Sequence, residues 1–252
     1  MNTTVRDKVT AVVALAAVGV HAVAGFRSTS FVALVATALS VALVPFSLRS
    51  NPAVRSLCAM LASLAVAMQL PVLWQPAMLL ALLGFVAAGR VVSGSRAPNT
   101  WRARGRVPLG WTLLVGGVTP VALSAWMILF RPDLRDVVGA YVPDLPLPVL
   151  IVGGVGFAVV NAALEELIWR GVLQDRLGPL FGARGAIALQ ALSFGVQHFG
   201  GVPRGIVGVI LAGLWGVMLG MLRQHARGLL APFLAHVVAD ATLAVIVLHF
   251  VR

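Results

Sequence analysis

The chain has 252 residues, 60% of them hydrophobic and only 11% charged, where a soluble domain carries about 25% charged residues. So little polar surface requires lipid as the solvent over most of the molecule, which excludes a soluble α/β enzyme. The net charge of +11, from eighteen Arg and one Lys against six Asp and two Glu, is spread between apolar runs rather than gathered in one patch, so it belongs to membrane topology and implies no nucleic-acid partner.

A helix crosses the hydrocarbon core with about 20 apolar residues, within a range of about 17 to 25. In chain order the runs that meet this test are 9–26, 31–48, 53–70, 76–93, 109–130, 147–169, 185–201, 204–222 and 229–250. The first lacks a small-x-small cleavage site before the second begins, so it is expected to be a span and not a cleaved leader. Cys58 is alone, which leaves no disulfide framework and no Cys-based metal site. Breakers separate the runs, among them Arg49-Ser-Asn-Pro52, Gln75-Pro76, Gly178-Pro179 and Pro203-Arg204. The segment 90–108 carries Arg90, Arg96, Arg102, Arg104 and Arg106; the last four are placed to contact anionic lipid headgroups. It divides an N-terminal set of helices, 1–108, of unassigned role, from a core, 109–252. No internal repeat of the transporter kind links the halves. In the span 204–222, Ala212, Gly216 and Gly220 lie four apart and form a face for close helix packing.

The fold class that follows is all-α: a polytopic transmembrane helical bundle of nine spans, or eight if one short run is re-entrant. With the N-terminus in the cytoplasm, thirteen Arg and Lys fall inside and five outside, Arg170 left aside. That bias favours a cytoplasmic N-terminus and an external C-terminus. The composition is bacterial in character, so the expected location is a bacterial cell membrane.

The only two Glu of the protein are adjacent, Glu165-Glu166, within an apolar run. An ionisable group at that depth costs about 2.5 kcal/mol or more on insertion scales, so its default reading is functional. Glu166 and Arg170 are four apart and share a helix face, where each neutralises the other. Glu165 points about 100° away, without such a partner, and is free to take a proton from water. Asn161, one turn earlier, is expected to orient it. His198 closes the string Phe194-Gly-Val-Gln-His198, and His236-Val-Val-Ala-Asp240 puts an imidazole and a third carboxylate one turn apart on one face. Glu165 and His198 are 33 residues apart, with the Gly178-Pro179 to Gly182 turn near the midpoint. Both then stand about 22 Å above that turn, at about 1.5 Å per residue. His236 and Asp240 reach about 13 to 20 Å above the Arg223–Gly228 turn by the same rise. The three sets of side chains can therefore converge.

Three strings, Glu165-Glu166-x-x-x-Arg170, Phe194-x-x-x-His198 and His236-x-x-x-Asp240, resemble the motifs of the CPBP family, which holds the type II CAAX prenyl endopeptidases and bacteriocin-processing enzymes. The likeness covers about 140 to 250 and none of the first hundred residues. It implies an intramembrane endopeptidase acting on a peptide or protein substrate at the membrane, with Glu165, Glu166, Arg170, His198, His236 and Asp240 as its site. The last motif position is Asn in the prenyl endopeptidases and Asp240 here, as in many bacterial relatives.

In the expected mechanism Glu165 is the general base, helped by His198; His236 donates to the oxyanion; Asp240 holds the His236 ring or, if protonated, assists directly; and Glu166 with Arg170 keeps the helix geometry. Two alternatives remain for the cofactor. Either none is required, or a divalent metal such as zinc binds Glu165, His198 and His236 and leaves a fourth position for water; the family is often labelled a metalloprotease group, yet the H-E-x-x-H spacing is absent. Two other functions compete: a catalytically silent scaffold or bacteriocin-immunity protein, and an ion-coupled transporter using the same Glu, His and Asp as a proton relay.

Overall fold

The computed structural model describes residues 3–26, 28–70, 73–92 and 102–249. Arg27, Arg96 and Arg252, counted above in the charge bias, lie outside the described residues. Helices α1 (Val5–Ala24), α2 (Phe31–Ser47), α3 (Pro52–Ala67) and α4 (Trp74–Val92) form the N-terminal set. They are followed by α5 (Leu109–Phe130), the short α6 (Arg135–Tyr141), α7 (Leu147–Glu165), a π-helical segment (Glu166–Leu173), α8 (Gln174–Gln197), a 3₁₀ turn (His198–Gly200), α9 (Gly205–Ala226) and α10 (Leu230–His249). No strand occurs among the described residues.

Among the described residues, each of the nine apolar runs holds a helix. Four helices and the continuous segment Leu147–Gly200, which holds two of the runs, are long and apolar enough to cross a membrane. Phe31–Ser47, Pro52–Ala67 and Trp74–Gly89 are shorter apolar helices.

Local chemistry sets the helix starts. Thr4 and Asp7 make a capping box at α1, Ser30 caps α2, and Asn51 caps α3 with Pro52 at its first position, each side chain satisfying amide groups that the first turn leaves unpaired. The solvent pattern is that of a membrane protein. Val121, Ile128 and Leu129 on α5 and Val152 on α7 are at least 70% exposed, while Glu165, Glu166, Arg170, His236 and Asp240 are all buried. Apolar side chains face outward to lipid, and the charges sit inside, where each finds a partner.

The structure sharpens one expectation and corrects another. The expected turn, Gly178-Pro179 to Gly182, is made at its last residue: α8 carries Pro179 within it and breaks at Gly182, at φ 72°, ψ 172°, a backbone region open to glycine but strained for other residues. The reversal thus lies 17 residues after Glu165 and 16 before His198, close to equidistant. Second, the span begun at Leu147 does not remain α-helical: at Glu166 the ladder widens to a π-helix that carries Arg170.

One end of the bundle gathers the segments expected on the cytoplasmic side. Thr3 Oγ1 donates to Pro179 O (3.2 Å), Arg6 to Phe46 O (2.8 Å), and Asn51 N to Asp7 Oδ1 (2.9 Å). Arg106 N donates to Ala226 O (2.9 Å) and Leu229 N to Ala103 O (2.8 Å). Arg223, 3.6 Å from Asp175, ties the two groups together. The small-residue face on α9 packs on α8 as expected: a Cβ at Gly216 would meet Ala191 Cα at 3.1 Å, and one at Gly220 would meet Gln190 Nε2 at 2.6 Å.

Candidate active site

The site is built where α7, the π-helical segment and α10 meet the first turn of α4 and the last turn of α8. Glu166 is 1% exposed and Arg170 is fully buried, and their carboxylate and guanidinium are 3.1 Å apart. The face of the Arg170 guanidinium lies over the Phe194 ring, 4.2 Å from its centroid, so charge and ring stacking hold it rather than hydrogen bonds. The same Glu166 Oε1 lies 2.7 Å from His236 Nδ1. An ionised carboxylate only accepts, so Nδ1 carries the hydrogen and donates. The other ring nitrogen, His236 Nε2, faces Glu165 Oε2 at 3.5 Å and Asp240 Oδ1 at 3.7 Å.

Glu165 is divided between its two oxygens. Oε1 accepts a hydrogen bond from Trp74 Nε1 at 3.1 Å. Oε2 is buried and has no hydrogen-bond partner. Asn161 does not orient Glu165, contrary to the expectation: its Nδ2 donates to Asp240 Oδ2 at 3.1 Å, and its Oδ1 accepts from Gln75 Nε2 at 3.2 Å. Nor is Glu165 without a partner, since the indole of Trp74 supplies one.

His198 stands slightly apart. Its Nδ1 is 2.8 Å from Phe194 O; the carbonyl only accepts, so Nδ1 donates and Nε2 keeps its lone pair. The Phe194 ring contacts both imidazoles, its centroid 4.4 Å from that of His198 and 5.9 Å from that of His236. His198 is partly exposed and pairs with no carboxylate, so it marks the open flank of an otherwise closed cluster.

The metal arrangement does not fit. Among the described residues no three His, Cys, Asp or Glu side chains are grouped to hold a metal ion. His236 commits Nδ1 to Glu166 and keeps Nε2 as its one open ring nitrogen, and His198 is not grouped with Glu165 and His236 in a ligand set.

A family model described as Type II CAAX prenyl endopeptidase Rce1-like matches residues 147–242, a stretch that contains Asn161, Glu165, Glu166, Arg170, His198, His236 and Asp240. Residues 147–242 are similar to that family. Comparison with curated proteins and with solved structures gave no match. The similarity supports a CAAX-type membrane protease kind, and the five helical segments long and apolar enough to cross a membrane support an integral membrane protein.

Two contributors to the site escape sequence reasoning. Trp74 and Gln75 lie outside residues 147–242, on α4, and contact that stretch at Glu165 and Asn161. The one available signal was the pair of side chains with N–H donors, Trp-Gln, at the edge of an apolar run, a pattern too common to single out.

Proposed function

We propose that the chain is an intramembrane endopeptidase in which Glu165 activates water without a metal. The observation that carries this reading is the buried Oε2 of Glu165, which has no hydrogen-bond partner and points at His236 Nε2. A water between Glu165 and His198 Nε2 gives up a proton to Glu165 as its oxygen attacks the peptide carbonyl carbon. His236, protonated at both nitrogens and held at Nδ1 by Glu166, donates Nε2–H to the developing oxyanion. Glu165 then returns its proton to the leaving amine, which restores the starting carboxylate. Asp240 holds the His236 ring on the far side, and Arg170 balances Glu166. In this low-dielectric interior each charge–dipole contact counts for more than it would in water.

Substrate is a peptide or protein segment that enters from the His198 flank; no residue pattern requires it to be prenylated. The N-terminus lies in the cytoplasm and the membrane is that of a bacterial cell, as the Arg and Lys distribution and the composition favour.

The test is hydrolysis of a quenched-fluorescent peptide library by the purified protein in liposomes, with Glu165→Gln alongside. The variant is expected to lose about 10² to 10⁴-fold in rate, the range of general-base catalysis, with its thermal unfolding unchanged. Cleavage by Glu165→Gln at the native rate rejects the mechanism, and a native phenotype with no hydrolysis at all favours the scaffold reading.

A further inference from the structure

Consecutive residues at the start of α4 reach the site, one at a carboxylate and the other at an amide that itself bonds a second carboxylate. Trp74 Nε1 donates to Glu165 Oε1 at 3.1 Å. Gln75 Nε2 donates to Asn161 Oδ1 at 3.2 Å, and Asn161 passes the contact on to Asp240. We infer that Trp74 is a positioning residue for Glu165, supplied by the N-terminal helices to the stretch 147–242. The inference rests on Glu165 as the general base.

Three features support it. A carboxylate has two oxygens of equal basicity, and the indole engages one of them, which leaves Oε2 facing His236. The Trp74 ring is itself fixed, edge-on to Phe26 with centroids 6.0 Å apart and tilted against Trp169 at 6.3 Å, so its N–H is aimed before substrate arrives. A preorganised donor of this kind limits the geometries open to the side chain that does the chemistry. Finally, an aromatic ring that merely filled space beside Phe26 and Trp169 would have no use for its N–H, whereas this N–H meets the carboxylate directly.

The donor and the ring can be separated by substitution. Phe keeps an aromatic ring and loses the donor. His places an N–H at the same bond separation from Cβ, because Nε2 of imidazole and Nε1 of indole occupy equivalent ring positions, and loses the benzo ring. Wild type, Trp74→Phe, Trp74→His and Glu165→Gln are compared in the full chain in liposomes with the same peptide, at about pH 8, where a histidine of ordinary pKa is neutral. Trp74→Phe is expected to lower kcat about ten- to a hundredfold, the equivalent of one hydrogen bond to a charged group, with KM close to native. Trp74→His restores most of that loss. Native kcat in Trp74→Phe, or equal losses in both variants, overturns the inference while leaving the Glu165 mechanism intact if Glu165→Gln is dead; an active Glu165→Gln removes both. Independently of turnover, the 15N-indole spectrum of the six tryptophans is expected to show one hydrogen-bonded N–H that shifts in Glu165→Ala, and the absence of any such shift overturns the inference.

Discussion

Glu166 and His236 are joined by a 2.7 Å hydrogen bond on the same carboxylate oxygen that Arg170 reaches at 3.1 Å. Glu166 is therefore more than a packing counter-ion: it links the buried guanidinium of the π-helical segment to an imidazole on α10 and fixes which nitrogen of that imidazole carries hydrogen. The pairing explains why two adjacent carboxylates are needed. One anchors the histidine, and the other keeps one oxygen, Glu165 Oε2, open on the opposite side of the ring.

A first prediction follows from Arg170, which is fully buried. Glu166→Ala leaves that charge without its carboxylate, and breaking a buried pair by removing one partner is destabilising by about 3–5 kcal/mol. The double variant Glu166→Gln with Arg170→Met removes both charges and keeps an acceptor for His236 Nδ1. It is expected to be more stable than Glu166→Ala. Thermal unfolding of the three proteins in detergent decides: a double variant less stable than the single one contradicts this account of the pair.

Asp240 supplies the second. Its Oδ2 accepts from Asn161 and its Oδ1 faces His236 Nε2 at 3.7 Å. An Asn here can turn its oxygen to Asn161, but its NH₂ then faces Nε2 and offers no negative charge. Asp240→Asn should therefore fold normally and keep activity within about tenfold, the size of one weakened charge-assisted contact. Asp240→Leu leaves the Asn161 amide unsatisfied and should be destabilised by about 1–3 kcal/mol with far lower turnover. Parallel unfolding and peptide-hydrolysis assays separate the two; a dead but stable Asp240→Asn would mean that the carboxylate itself is essential.

Much of this arrangement was visible in the residues alone. Glu165-Glu166 in an apolar run, Arg170 four positions on, and His236 with Asp240 on one face all follow from helical spacing and the expense of burying charge. The partner of Asn161 did not, because Asn161 and Glu165 share a face within α7, yet helix packing brings Asp240 of α10 and Gln75 of α4 to the Asn161 amide. Trp74 and Gln75 were hidden for the same reason. Their relation to Glu165 and Asn161 is made by helix packing between distant segments, α4 against α7, and an indole in an apolar run is indistinguishable by pattern from one that faces lipid. Within the expected turn, Gly178-Pro179 to Gly182, the break falls at the last residue because Pro179 is accommodated in α8 and Gly182 takes a positive φ.

His198 and His236 should respond differently to removal. His236 is 3% exposed and holds Glu166; His198 is partly exposed and is tied only to Phe194 O. His198→Ala is expected to lose about 10²-fold or more in rate with little change in unfolding temperature. His236→Ala should lose both activity and stability, since it strips a partner from a buried carboxylate. Equal thermal effects in the two variants would mean that His198 is a packing residue.

The last prediction concerns the seam that carries His198. A Cβ on Gly195 would lie 2.6 Å from Val209 O and 3.0 Å from Gly213 Cα, backbone atoms that cannot swing aside. Gly195→Ala therefore forces α8 and α9 apart one turn before His198, at an expected cost of about 1–3 kcal/mol and with loss of hydrolysis as the imidazole moves from the Phe194 ring. On the facing helix a Cβ on Gly213 meets nothing nearer than 3.8 Å, an ordinary contact. Gly213→Ala should then be neutral, or stabilising by up to about 1 kcal/mol through helix propensity, and should keep full activity. The two substitutions add the same methyl to opposite sides of one interface, so similar losses of activity and stability in both would show that helix separation at this seam is not what positions His198.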